Sequence, residues 1–205
     1  MNEQHTQSDS ERVIDLYQRH ALQWNKDRNR SLVEKTWLDQ FLTLTPDSTS
    51  VLDLGCGMGE PIAKYLIEQG YAVTGIDTSH TFIDLCKKRF PLQDWLVADM
   101  RNVVLEKVFQ GIIAWDSFFH LNHADQRRMF STFRQYAASG TTLLFTSGPS
   151  YGEAIGEYQG EPLYHASLDA AEYQTLLQEQ GFRVVNQIME DPTCGHRTVW
   201  LAQSN

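Results

Sequence analysis

The sequence predicts an α/β fold in which helices cover both faces of a mostly parallel sheet. Apolar runs alternate with helix-like segments from residue 51 to about 146, which is the pattern of parallel strands joined by helices. The first run, 51–54, leads into three glycines at alternate positions and then a helix-like segment. Two later runs, about 182–189 and 196–202, are joined by Asp-Pro-Thr-Cys-Gly, a connection short enough to make them antiparallel.

The elements can be placed in order from their boundary residues. The first strand is followed by a helix from about Glu60 to Gln69, with Pro61 in its first turn, where proline is tolerated, and Gly70 at its end. The pattern then predicts a strand at 71–76, a helix from Thr78 or Ser79 to Phe90, strands at 94–98 and 112–115, a helix from Ala124 to Ala138, a strand from Thr141 to Thr146 and a helix near 169–180.

Three segments lie outside this alternation. Residues 1–10 are polar and are predicted to be a disordered tail, and residues 11–44 are predicted to form one or two helices. Residues 147–167 are rich in Gly, Glu and Tyr and are too long for a plain connection. Loops of this size in compact domains tend to be functional. We therefore predict one domain over 11–205 with a loop insertion at 147–167.

Composition narrows the class of protein. A chain of 205 residues fits one domain with a sizeable core. No apolar run approaches the roughly 20 residues of a membrane span, and the polar N-terminus does not resemble a secretory signal. Cys56, Cys86 and Cys194 form no CxxC pair. We expect a reduced, cytoplasmic protein with no disulfide framework and no metal site.

The net charge of -9 bears on the partner. A protein that binds nucleic acid normally offers a basic face to the phosphates. The nearest basic runs, 87–89 and 127–128, lie on predicted helices, where charged residues usually face solvent. Nucleic acid is therefore the less favoured partner.

The glycine-rich segment after the first strand indicates a ligand site. Glycines there let the backbone approach a flat ligand at a helix N-terminus, and Asp77, after the second strand, is placed to hold a ribose diol. A dinucleotide fingerprint requires glycine where Glu60 stands. An acidic side chain there would repel a pyrophosphate, but it would be less hostile to a zwitterionic amino acid attached to a sulfonium.

This segment resembles the first motif of the class I S-adenosylmethionine-dependent methyltransferases, D/E-x-G-x-G-x-G. Asp53, Gly55, Gly57 and Gly59 match it residue for residue. The resemblance implies a Rossmann-like, doubly wound, seven-stranded sheet that is mostly parallel with an antiparallel C-terminal strand, plus N-terminal helices. It also implies S-adenosyl-L-methionine as the cofactor and S-adenosyl-L-homocysteine as its product.

The resemblance assigns roles to further residues. Asp77 would accept the ribose hydroxyls, Asp99 would bond the adenine amino group, and Met100 would receive the ring. The residues expected to bind the cofactor are Tyr17, Trp24, Asp53, Gly55, Cys56, Gly57, Gly59, Asp77, Thr78, Asp99, Met100 and Trp115.

Two of these expectations have a plain structural alternative. Trp115 would equally suit the core. Tyr17, His20, Trp24 and Arg28 recur at helical spacing, which puts them on one helix face. In similar enzymes such a helix, here within 11–44, forms part of a lid over the cofactor. The alternative is an amphipathic helix on the sheet edge.

Methyl transfer is a direct displacement, so positioning supplies much of the rate, and a base is needed only if the acceptor carries a proton. His120 is the first candidate base because its ordinary pKa lies near neutrality. It would equally serve as a histidine bonded to backbone or to the cofactor carboxylate. Asp116 would orient a substrate amine or hydroxyl, or cap a loop. His165, in the 147–167 segment, is the alternative base.

The leading functional hypothesis is a methyltransferase for a small-molecule acceptor, acting as a monomer or homodimer without nucleic acid or membrane. The Asn/Asp-Pro-Pro-Tyr/Phe clamp of DNA amine methylation is missing after the fourth strand. A protein or RNA methyltransferase would need basic or docking segments. A non-catalytic cofactor-binding module is a third possibility. A nicotinamide oxidoreductase is opposed by Glu60 and by the antiparallel end of the sheet.

Overall fold

The computed structural model describes residues 9–205, and two helices precede the first strand of its sheet. The first helix begins at Asp9. The predicted tail, 1–10, was therefore too long by two residues, because Asp9 and Ser10 are helical. The remainder of that tail, 1–8, lies outside the described residues.

Seven strands form one sheet and two form a separate hairpin. Within the described residues the strands are β1 Ser50–Leu54, β2 Ala72–Asp77, β3 Asp94–Val97, β4 Phe109–Ala114, β5 Ala137–Ser147, β6 Gly152–Tyr158, β7 Glu161–Ser167, β8 Phe182–Asp191 and β9 Arg197–Ser204. The large sheet has the order β3-β2-β1-β4-β5-β9-β8. β1 to β5 pair in parallel, whereas β9 runs antiparallel to both β5 and β8. The predicted mostly parallel, seven-stranded sheet with an antiparallel C-terminal strand is confirmed.

Three of the six helices in the described residues begin at a side-chain cap. The six are α1 Asp9–Asp27, α2 Lys35–Leu44, α3 Ile62–Glu68, α4 His80–Arg89, α5 His123–Tyr136 and α6 Ala170–Glu179. The side chains of Ser79, Asn122 and Asp169 each accept a hydrogen bond from a backbone N–H in the first turn of α4, α5 and α6. Such caps satisfy donors that have no partner within the helix. Ser79, rather than Thr78, caps α4.

The core lies on both faces of the sheet. Leu143 and Phe145 of β5 point to the face covered by α5 and α6, while Leu144 between them points to the face covered by α2, α3 and α4. This alternation is the two-residue period of a strand. Because both faces are buried, the central strands are mostly apolar, and the carboxyl groups of Asp53 and Asp77 stand at or next to the C-terminal ends of β1 and β2.

The predicted loop at 147–167 is wrong: β5 continues through Ser147, and β6 and β7 form an antiparallel hairpin. Gln159 and Gly160 connect the two strands, and both have positive φ, 54° and 78°. This is the conformation of a two-residue hairpin turn. The hairpin is held against the rest of the domain because Leu163 and Tyr164 of β7 pack on α1.

Other predicted boundaries are wrong by a few residues. β4 begins at Phe109, before 112, and β5 begins at Ala137, where the helix was expected to continue to Ala138. Phe109 pairs with Ala137 in the sheet. Pairing between β4 and β5 thus extends both strands into residues whose local sequence does not predict a strand. The local pattern cannot show this, because the pairing partner lies far away in the sequence.

Candidate active site

A pocket opens at the C-terminal ends of β1, β2 and β4, and α1 covers it. It encloses about 1060 Å³, part of it open to solvent. Ligands in open α/β sheets bind at this edge. The lining residues that matter below are Tyr17, Trp24, Arg28, Asp53, Gly55, Cys56, Gly57, Glu60, Asp77, Thr78, Asp99, Met100, Arg101, Trp115, Asp116, Ser117 and His120.

Gly55 and Gly57 are glycines for different reasons. Gly55 has φ +80°, and a Cβ there would stand 2.3 Å from the Cβ of Ser117. Gly57 has φ +53° and nothing within 4 Å of its Cβ position. Its N–H donates to Asp77 Oδ2 at 3.0 Å. The loop therefore packs closely on the segment after β4 while exposing backbone to the pocket.

Gly59 and Cys56 have neighbours that the sequence pattern did not indicate. A Cβ on Gly59 would stand 3.2 Å from Cys86 Sγ on α4, and Gly59 is not among the described residues that line the pocket. The thiols of Cys56 and Cys86 both donate to the Gly57 carbonyl, at 3.6 and 3.2 Å. Burial raises the pKa of Cys56 well above its usual value. Cys56 therefore supports the loop as a neutral thiol, and Cys86 bonds the same carbonyl from α4.

Two carboxyl groups lie in the floor of the pocket, Asp53 buried and Asp77 half-buried. Asp77 accepts hydrogen bonds from Gly57 N and, at 2.9 Å, from Ser79 N. Burial nevertheless raises the pKa of Asp77 to about 6. Burial, together with the charge of Asp77, raises the pKa of Asp53 to about 7. Because their charged forms are poorly solvated, these carboxylates favour a ligand that brings hydroxyl donors or positive charge.

Asp99 and Met100 follow β3 on one side of the pocket. The guanidinium of Arg101 binds both oxygens of Asp99, with Nε at 3.0 and 2.9 Å, and also reaches Asp125 on α5 at 3.1 Å. Met100 Cε lies near Gly55. Arg101 was missed by sequence reasoning, although its position two residues after Asp99 is that of a local ion pair. It fixes the carboxylate at the pocket wall.

Trp115 and Asp116 follow β4. Trp115 is buried, and its Nε1 has no hydrogen-bond partner among the described residues. Asp116 has φ +50°, and Arg197 from β9 binds its two oxygens through Nε and Nη2, each at 2.7 Å. Arg28 approaches the same carboxylate at 3.7 Å. Asp116 thus already has two cationic partners.

Glu60 does not present the bare negative charge that its position suggested. Its carboxylate contacts Arg30 at 3.1 Å and Arg89 at 3.3 Å. The charge that was expected to repel a pyrophosphate is therefore offset by two cations from α4 and the segment after α1. The electrostatic argument from Glu60 is wrong, although the glycine spacing on which it was based is unaffected.

His120 lies in a short 3-10 helix, Phe118–His120, and is held at both ring nitrogens. Nδ1 is 2.8 Å from the Tyr164 carbonyl oxygen, and Nε2 is 3.1 Å from the Tyr17 hydroxyl. A carbonyl only accepts, so Nδ1 carries the proton and the Tyr17 hydroxyl donates to Nε2. Burial lowers the pKa of His120 to about 4, which keeps the imidazole neutral.

His165, the alternative base, lies behind His120. Its ring centroid is 4.8 Å from that of His120 and 5.2 Å from that of Phe119. Burial lowers the pKa of His165. His165 is not among the described residues that line the pocket, so its ring contacts the pocket wall from outside.

The predicted helix face on α1 divides between the pocket and the hairpin. Tyr17, Trp24 and Arg28 line the pocket. His20 is turned toward β7, where its Nε2 lies 2.5 Å from Glu161 Oε1. The ring of Trp24 also meets that of Tyr158 at 4.9 Å. The helix is thus fastened to both sides of the opening.

Residues 9–205 contain neither a metal-binding cluster nor a membrane-spanning helix. No group of three or more His, Cys, Asp or Glu side chains is placed to hold a metal ion. No helix in this part of the chain has the length and hydropathy needed to cross a membrane.

The sequence of the central region matches a known family. A family described as a methyltransferase domain matches residues 51–140, from β1 into β5. An O-methyltransferase of Pyrenophora dematioidea is 26% identical over 165 residues, 74% of this chain and 61% of that protein. A putative methyltransferase of Invertebrate iridescent virus 6 is 36% identical over 93 residues, 44% of this chain and 32% of that protein. The chain spans less than two thirds of the length of these curated relatives.

The fold matches solved structures over the whole chain. The S-adenosylmethionine-bound magnesium protoporphyrin IX methyltransferase of Synechocystis PCC 6803 has a TM-score of 0.74 at 17% identity, covering 100% of both chains. The sheet order and the glycine loop define a Rossmann-like methyltransferase fold. Together with the methyltransferase-domain match over residues 51–140, this fold confirms the resemblance to class I S-adenosylmethionine-dependent methyltransferases that was seen in the sequence.

Proposed function

We propose that the protein binds S-adenosylmethionine in the pocket under α1 and transfers its methyl group to a small-molecule acceptor in the cytoplasm. One observation carries this proposal. The exposed backbone of the Gly57 loop, Asp77 after β2 and Asp99 after β3 face one pocket at the edge of the sheet. An adenosyl amino acid would place its amino-acid part on the loop, its ribose diol on Asp77 and its adenine amino group on Asp99.

The residues present fit that cofactor. The backbone at Gly55 and Gly57 would hold its amino-acid part, and Asp77 would exchange the Gly57 N–H for the ribose hydroxyls. Asp99 and Met100 would hold the adenine. The bound cofactor supplies an electrophilic methyl group on a cationic sulfonium, and the carboxyls of Asp53 and Asp77 would favour that charge.

Remaining assignments complete the site. Tyr17 and Trp24 would close the pocket from above, Trp115 would form its inner wall, and Thr78 would border the ribose. A small acceptor is supported by the cover that α1, which packs on the β6–β7 hairpin, places over the opening, and by the net charge of -9, which disfavours nucleic acid. The name of the fungal relative, an O-methyltransferase, is compatible with this acceptor class.

Titration calorimetry on protein stripped of ligand tests the proposal. We expect micromolar binding of S-adenosylhomocysteine and no binding of NADH. Asp77→Asn should weaken the first by roughly tenfold or more, because a charge-assisted hydrogen bond to the ribose is lost. Asp84→Asn, an exposed carboxylate on α4, is the matched control. Binding of NADH alone would overturn the proposed cofactor.

A further inference from the structure

The basic nitrogen of His120 is closed off from the pocket by another side chain. Nε2 carries the lone pair, and the Tyr17 hydroxyl occupies it at 3.1 Å. Nδ1 is committed to the Tyr164 carbonyl on β7 at 2.8 Å. The imidazole is only 8% exposed. An acceptor in the pocket would therefore meet the oxygen of Tyr17 before it met either nitrogen of His120.

Tyr17 also lies within electrostatic reach of both strand ends that the proposed cofactor would span. It lines the pocket, and it is close enough to both Asp77 and Asp116 for their charges to raise its pKa, although burial raises that pKa more. Asp77 follows β2 at the proposed ribose end, and Asp116 follows β4. A methyl group carried between the ribose and the amino-acid part of the cofactor would sit between these strand ends, beneath α1.

We propose that Tyr17 is a catalytic residue that carries the acceptor's proton to His120, and that the acceptor is therefore a hydroxyl. A methylated amine would keep its proton rather than pass it to a neutral imidazole, whereas a hydroxyl oxygen becomes strongly acidic as it is methylated. This inference rests on the proposed function. Tyr17 stands on α1 and His120 on the opposite wall, so the relay is complete only when α1 covers the pocket. Methylation of a nucleophile that carries no proton would not require this relay.

The proposed step combines transfer of the methyl group with transfer of the acceptor's proton. The acceptor atom forms a bond to the methyl carbon while the carbon–sulfur bond breaks and its electron pair stays on sulfur. The acceptor's proton passes to the Tyr17 oxygen as the Tyr17 proton moves to His120 Nε2. The positive charge that leaves sulfur ends on the imidazole, whose Nδ1–H remains on the Tyr164 carbonyl.

Sinefungin tests the position of Tyr17 without a known acceptor. In this analogue a carbon bearing a primary ammonium replaces the sulfonium and its methyl group, so the ammonium points where the methyl group would leave. We expect Tyr17→Phe to weaken sinefungin roughly tenfold or more by calorimetry, while S-adenosylhomocysteine affinity stays within about twofold because the ring is retained.

Tyr158→Phe is the control, since the Tyr158 hydroxyl bonds Asp27 at the C-terminal end of α1 and Tyr158 is not among the described residues that line the pocket. Equal effects of Tyr17→Phe on both ligands, or no effect on either, would overturn the inference while leaving the proposed function intact. If the unaltered protein bound neither ligand, the proposed function would fail and the inference with it.

Nitrogen NMR of the His120 ring tests the second half of the relay. We expect a neutral ring protonated at Nδ1, with the Nε2 resonance moving toward that of a free imine nitrogen in Tyr17→Phe. A proton on Nε2, or an Nε2 resonance that the substitution leaves unchanged, would show that Tyr17 does not donate to this ring and would sink the relay.

Discussion

At the scale of single residues, a comparison of Gly55 in the glycine loop with Gly140 in β5 separates two reasons for which glycine is required. Gly55 and Gly140 have nearly the same φ, +80° and +79°. A Cβ on Gly55 would stand 2.3 Å from the Cβ of Ser117, whereas Gly140 has nothing within 4 Å of that position. The two sites therefore share a conformational cost and differ in a steric one.

Substitution by alanine measures this difference. We expect Gly140→Ala to lower the free energy of unfolding by about 1–2 kcal/mol, the cost of a left-handed residue. Gly55→Ala should lower it by roughly a further 1–3 kcal/mol, because the backbone must move away from Ser117. Urea unfolding of both variants gives the comparison. Equal losses would mean that the loop moves aside without cost.

At the scale of elements, α1 covers the pocket and the β6–β7 hairpin holds it there. Val13 and Leu16 pack on Leu163 and Tyr164 of β7. Glu161, at the start of β7, binds both Arg19 and His20. Because α1 lies over the pocket, we expect a ligand in the pocket to leave faster when this contact is loosened.

Removing the Glu161 charge should speed ligand release. In Glu161→Gln we expect S-adenosylhomocysteine to dissociate about two- to fivefold faster, since ion pairs at exposed side chains contribute up to about 1 kcal/mol. Stopped-flow tryptophan fluorescence follows release, because Trp24 and Trp115 line the pocket. Glu157→Gln, an exposed carboxylate on β6, is the control. Equal release rates in the two variants would contradict a fastening role for Glu161.

The same hairpin accounts for the position of His120. Tyr164, whose carbonyl fixes the imidazole tautomer, belongs to β7, and β7 is held by α1. Helix α1, the hairpin and the histidine thus form one packed unit, which is why the proposed relay depends on α1 covering the pocket.

At the scale of the whole molecule, the site contains residues from distant parts of the chain, and two of its carboxyl groups are poorly solvated when charged. Arg197 of β9 holds Asp116 after β4, and the carboxyls of Asp53 and Asp77 have raised pKa values of about 7 and 6. Both acids bind protons more tightly in the folded state than at their ordinary value of 3.8. They therefore cost stability as the pH rises.

The pH dependence of Asp53→Asn isolates one of these costs. Between about pH 4 and 7 the folded state keeps the Asp53 proton while the unfolded state loses it. The free energy of unfolding should thus fall with pH by at most about 1.4 kcal/mol per unit from this group. Relative to the unaltered protein, Asp53→Asn should gain stability across that window.

Urea unfolding at pH 5 and pH 8 measures this gain, and comparing the two proteins cancels the opposing contribution of His120, whose pKa is lowered to about 4. A difference between the two proteins that stays constant with pH would contradict the raised pKa of Asp53.

The sequence by itself determined the sheet, the glycine loop and the strand-end acids. These follow from local patterns: apolar runs define the strands, and the parallel order brings Asp77 and Asp99 to the edge occupied by Gly57. The hairpin was missed because one side of it is exposed and polar, so its strands lack an apolar run. The two-residue Gln159–Gly160 turn was the one local signal for it.

Only the tertiary structure decided which polar side chains pair with one another in the wall of the pocket. Tyr17 and His120 are 103 residues apart, and Asp116 and Arg197 are 81 apart. Which polar side chain meets which depends on the packing of α1 and on the antiparallel return of β9. No local periodicity encodes such pairs, because the free energy that selects them comes from burying whole elements, and the pairing of their polar groups follows from where those elements come to rest.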